Sequence, residues 1–119
     1  MKLIIEKIID KVTADAHVIK DVSRYDKVLL IVDYIRASSA EGTITVYSCA
    51  DELGIIKAAA AIAPILTGTI DADGAVAYTT STTVIYEVKN IAKWLYVDWN
   101  ETVDGATFSC WLLGKEEGR

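Results

Sequence analysis

Apolar and polar positions alternate along most of this chain with a period of two, the repeat of a β-strand rather than of a helix. The alternation is sharpest in residues 93–114. Trp94 and Tyr96 fall on one side there, with Leu95, Val97 and Trp99 on the other. After a loop that ends in Asp104-Gly105, Phe108, Cys110 and Leu112 share one face while Thr107, Ser109 and Trp111 share the opposite one. Aromatic and β-branched residues suit a pleated surface, and Asp-Gly tolerates the positive φ of a tight reversal. The stretch is expected to be a β-hairpin in the middle of the core. It carries all three tryptophans of the chain.

Residues 27–36 make the clearest single strand: Val28, Leu30, Val32 and Tyr34 line one face, Leu29, Ile31 and Ile35 the other. Apolar character on both faces implies a central strand, or one covered by a partner. Turn chemistry over 37–42 and renewed alternation over 43–49 predict a second hairpin. Residues 16–25 predict a short strand running into a turn, and 75–79 and 83–89 two further strands, the latter with Val84, Tyr86 and Val88 on one face. Between them, 51–67 reads as an irregular excursion with a short strand near 59–66, where Pro64 would stop a helix or sit at a sheet edge. The first twelve residues are ambiguous. Ile4, Ile5, Ile8, Ile9 and Val12 match a helical stripe, yet the isoleucine content favours a strand. They are expected either to fold onto the core or to form an apolar arm on a neighbouring subunit.

Short strands spaced by turn signals predict an all-β fold, a jelly-roll-like β-sandwich of antiparallel strands with an N-terminal arm or short helix at 1–12 and a polar tail at 115–119. A chain of 119 residues, 52% of them hydrophobic, is long enough for one domain with a real core, so 1–119 is read as a single domain.

Charge and chemistry narrow the function. A formal net charge of −5 with scattered basic residues argues against a nucleic-acid groove, and the apolar run 58–66 is far short of the roughly 20 residues of a membrane-spanning helix. Glu6 and Asp10 interrupt any signal-peptide core, so the expected compartment is a cytoplasm, where Cys49 and Cys110 are expected as two buried thiols. His17 is the sole histidine, which leaves no His-based metal cluster, and no phosphate loop or nucleophile elbow is present. Asp71-Ala-Asp73-Gly74 has the look of a calcium loop, but Thr80 stands where the bidentate Glu would be needed. Asn100-Glu101-Thr102 matches a glycosylation sequon in what is read as a hairpin loop. No catalytic, cofactor-binding or metal-binding residue is assigned, and no cofactor is expected. Trp94 and Trp99 lie on opposite faces of one strand, so one of them is expected to be exposed or at an interface.

The order of segments resembles a group of small tailed-phage virion proteins. The matching residues are Asp21, Val22, Ser23 and Tyr25 at the entry to a strand; Thr43, Thr45 and Val46 in the next; Lys93, Leu95 and Val97 in a late strand; and Leu113-Gly114 at the close. The resemblance spans roughly residues 18–114, and its motifs are packing signatures rather than catalytic ones. Lys93-Trp94 stands where the family pattern has Arg-Tyr, and the middle excursion matches weakly. The resemblance implies a non-enzymatic capsid decoration, cement or minor head protein, assembled in the host cytoplasm and located in the virion. Its implied partners are the major capsid protein or other virion subunits, together with copies of itself, and neither nucleic acid nor membrane. The expected interface residues are Ile4, Ile5, Ile8, Ile9, Trp94 and Trp99. The alternative is a carbohydrate-binding sandwich with Trp94 or Trp99 as its platform; an enzyme with unrecognised carboxylates is a third reading.

Overall fold

The computed structural model describes residues 2–36, 39–53, 55, 57–59, 62–64, 75–78, 81–89, 91–103 and 105–116. Every regular element among them is a strand: β1 (Lys2–Val12), β2 (Ala16–Asp21), β3 (Lys27–Arg36), β4 (Glu41–Cys49), β5 (Lys57–Ala59), β6 (Ile62–Pro64), β7 (Ala75–Tyr78), β8 (Thr82–Val88), β9 (Trp94–Val103) and β10 (Ala106–Glu116). Residues 2–12 are therefore strand, not helix. The tail begins later than its charge suggests, since Lys115 and Glu116 belong to β10.

Two antiparallel sheets pack face to face. Sheet I has the order β1-β10-β3-β8-β6 and sheet II the order β2-β9-β4-β5, with β7 also pairing along β4. The pairing is nested: β1 with β10, β2 with β9, β3 with β8, β4 with β7. The chain is thus doubled on itself and the double ribbon rolled into a sandwich, the winding of a jelly roll.

Neither expected hairpin exists. β3 and β9 each lie in the opposite sheet from the strand that follows them. The reason is burial. A β9–β10 hairpin would set two strongly apolar faces side by side in one sheet and leave other strands to cover both. Crossing between sheets lets Leu95, Val97 and Trp99 cover Phe108, Cys110 and Leu112 directly, and all six are buried. The Trp99 and Phe108 rings stack across the gap with centroids 4.1 Å apart and planes 12° from parallel. Gly105 (φ 115°) supplies the left-handed backbone at the crossing. Val28, Leu30, Val32 and Tyr34 extend the same wall as Phe108, Cys110 and Leu112, and β3 is central between β10 and β8 as its two apolar faces require. Tyr78 of β7 and Tyr86 of β8 join their hydroxyls across the sheets, a bond between buried groups.

The entry to β3 shows what the short polar motif does. Asp21 accepts hydrogen bonds from the Ser23 amide (2.9 Å) and hydroxyl (2.6 Å), and the Tyr25 amide donates to the Val22 carbonyl (3.0 Å). These bonds hold the carboxyl of Asp21 below its ordinary range. They also turn the chain so that the Tyr25 ring lies where a side chain at position 114 would be. Two segments of the sequence pattern, the Asp-Val-Ser-x-Tyr entry and the closing Leu-Gly, are thereby one contact.

Candidate interaction surface

An antiparallel sheet with one face on the core ordinarily turns polar residues outward. Sheet I does not. The register lines up Lys7, Trp111, Ile31 and Ile85 as one row across β1, β10, β3 and β8, and Ile5, Leu113, Leu29 and Glu87 as the next. Both rows lie on the outer face, opposite Leu30, Cys110 and Leu112. Ile5 is 61% exposed, Leu3 52% and Ile85 41%. A shallow depression of about 400 Å³ lies among Ile5, Ile31, Asp33, Thr83 and Trp111. Its walls are apolar and its rim charged: the Lys7 ammonium lies 5.1 Å from the Trp111 ring centre, and Thr83 donates to Asp33 at 2.9 Å. At one end Glu87 is held between Lys27 (2.9 Å) and Lys89, and the two ammonium groups pull its carboxyl down to about 2. A contiguous apolar surface with a polar rim is the form of a protein-docking site.

The outer face of sheet II has another character. Tyr96 stacks on His17 (5.6 Å between centroids) and meets Tyr47 edge-on (5.7 Å), while the Lys57 ammonium sits 4.6 Å and 4.7 Å over the two tyrosine rings. Those ring faces are occupied by a cation rather than open to stack on a sugar.

The six residues expected at an interface are not brought together. Ile5 borders the depression, Ile4 and Ile8 are half-buried along β1, and Ile9 is buried at 5% exposure. Trp99 is fully buried and belongs to the core, so neither it nor Ile9 offers surface to a partner or a sugar. Trp94 is half-buried in sheet II, with the Lys93 ammonium 5.5 Å over its ring. Trp111, Ile31 and Ile85, which make the apolar face, were each visible as the off-phase apolar residue of a strand. What joins them into one patch is the strand order, which no local pattern encodes.

Cys49 and Cys110 are free and buried, in opposite sheets. Burial pushes the Cys110 thiol up to about 12, and burial with the nearby Asp51 carboxylate raises that of Cys49. Among the described residues no three His, Cys, Asp or Glu side chains converge as metal ligands do. The turn at 71–74, with its calcium-loop look, lies outside the described residues. Asn100 is exposed within β9, not in a hairpin loop.

No protein-family model matches the chain, and no curated protein matches it by sequence. Among solved structures, the fold is similar to the crystal structure of the SPBc2 prophage-derived protein YomS, with a TM-score of 0.63 over 95% of this chain and 92% of that one. Sequence identity is 14%, so the likeness is one of fold.

Proposed function

We propose that this chain is a non-enzymatic structural protein of a bacteriophage particle, a decoration, cement or minor head subunit that stabilises the head by protein–protein contact and also associates with itself. The observation that carries the reading is the apolar outer face of sheet I. A sandwich of this size gains little by leaving Ile5 and Ile85 exposed and Trp111 and Ile31 half-exposed, and much by covering them. The prophage origin of YomS, which shares the fold over nearly its whole length, and the resemblance of residues 18–114 to small virion proteins support the same reading. A subunit of this kind acts by mass action: it binds the assembled shell and not its dissociated parts, and so shifts the equilibrium toward the shell. The acidic balance of the chain keeps the free subunit soluble before assembly.

The test is to purify phage particles from the host that carries this gene and quantify the chain by mass spectrometry. A fixed ratio to the major capsid protein through a density gradient is the expected result. Abundance in the lysate with none in the particles would overturn the proposal.

A further inference from the structure

The open edge of sheet I suggests how two copies meet. β1 is the outermost strand there, with β10 on one side and no strand on the other among the described residues. The remaining outer strands are shorter: β6 and β5 have three residues each, with Pro64 in β6, β7 has four and β2 has six. β1 has 11 residues and neither proline nor glycine. A long open edge of unpaired amides and carbonyls is a template for another strand unless something interrupts it. Here the interruption covers only the far half. Register shifts fall between Lys7 and Ile9 and between Ile9 and Val12, Lys11 has a φ of 46°, and its amide is turned inward to Ser109 Oγ at 3.0 Å. Residues 2–7 pair one-to-one with β10 and keep a regular outer edge.

We propose that two copies of this chain join by antiparallel pairing of residues 2–6 of their β1 strands about a two-fold axis at Ile4, making one continuous sheet from two sheets I. The choice of a second copy as occupant rests on the self-complementarity of this segment. Side chains opposite one another in a sheet must share a face, so a symmetric pairing sets residues of equal parity together. Centring the axis on Ile4 places Lys2 against Glu6 of the other copy, Leu3 against Ile5, and Ile4 against Ile4. Opposite charges meet twice, the Glu6 carboxylate of each copy being shared between Lys20 of its own chain and Lys2 of the other, and every other pair is apolar. Moving the axis to Ile5 sets Leu3 against Lys7 and Ile4 against Glu6, which mismatches four of the five pairs. In the favoured register Leu3 and Ile5, 52% and 61% exposed in the free chain, cover each other, and the outer apolar faces of the two copies become one surface. The inference rests on the self-association part of the function proposed above and names the strand and register responsible.

The experiment uses the full chain. Light scattering is expected to give twice the subunit mass of 13.0 kDa. Across the axis the two Ile4 Cα atoms would lie roughly 4.5–5.5 Å apart, within disulfide reach, so Ile4→Cys is expected to give a covalent dimer under mild oxidation. Lys7→Cys would put its thiols about six residues apart along the strand, roughly 20 Å, and is expected to stay uncross-linked. The native thiols do not interfere, being buried. Lys2→Glu is expected to weaken the dimer on the order of tenfold by setting like charges opposite each other twice, and adding Glu6→Lys together with Lys20→Glu, which keeps the ion pair Glu6 makes within its own chain, to restore it. A dimer in which Ile5→Cys or Lys7→Cys cross-links in preference to Ile4→Cys would overturn the register while leaving self-association in place. A monomer at high concentration would overturn both. Incorporation into particles is read separately, so the virion reading stands or falls on its own measurement.

Discussion

At Gly42 a missing methyl group decides how the core closes. A Cβ there would lie 2.3 Å from the Trp99 ring, the largest fully buried side chain. Gly42 is buried in β4 with an ordinary φ, so the constraint is space rather than backbone freedom. Gly42→Ala is expected to cost about 1–3 kcal/mol through displacement of Trp99, read by urea unfolding together with a changed near-ultraviolet tryptophan signal. Charge acts at the opposite end of the scale. Glu87 has a folded pKa of about 2 against an ordinary value of 4.5, because Lys89 and Lys27 hold the carboxylate. The unfolded chain therefore binds the proton first as pH falls. The stabilisation from this site is full above about pH 4.5 and is lost as pH drops through about 2. Glu87→Gln is expected to flatten the stability profile in that window, with an effect at neutral pH of less than about 1 kcal/mol because the group is near the surface. A chemical denaturation series from pH 2 to 7, wild type against variant, checks the sign.

The elements were more legible than their partners. The strand at 27–36 has the bounds that its alternation predicts, and Leu95, Val97 and Trp99 share the buried side of β9 as their phase requires. Phase places a side chain inward or outward, because the two sides of a strand differ by one residue. It carries no information on which strand lies alongside, and so the two expected hairpins dissolve into crossings between sheets. The same limit hid the candidate surface, whose rows of Trp111, Ile31 and Ile85 exist only once β10, β3 and β8 are known to be neighbours. Ile85→Asp probes this surface at the level of one strand. With 41% exposure it is expected to change unfolding free energy by no more than about 0.5–1 kcal/mol, yet to reduce incorporation into particles severalfold. Normal incorporation of the folded variant would show that the face of β8 is not used.

For the whole molecule the nested pairing has a kinetic consequence. Lys2 pairs with Glu116 and Asp21 with Trp94, so sheet formation must close most of the chain into loops before the core rewards it. Folding is expected in the millisecond-to-second range, followed by tryptophan fluorescence in stopped flow, because Trp99 is buried only when both sheets have met. Microsecond folding would contradict this nesting. The open edge of β1 belongs to this scale too. Whether it stays open depends on a second molecule.

Read alone, the sequence was enough to establish an all-β chain, the approximate place of its main strands, which side chains share a face of each and the absence of familiar catalytic motifs. These are consequences of side-chain periodicity and chemistry within a few residues. The tertiary structure decided the rest: that β1 is a sheet edge, that Trp99 and Ile9 are core while Trp111 is surface, and that Tyr25 fills the space above Gly114. Each of these depends on contacts between segments far apart in the chain. Their energy comes from covering one apolar face with another, and many strand orders satisfy one pattern of faces until the packing of the whole selects among them.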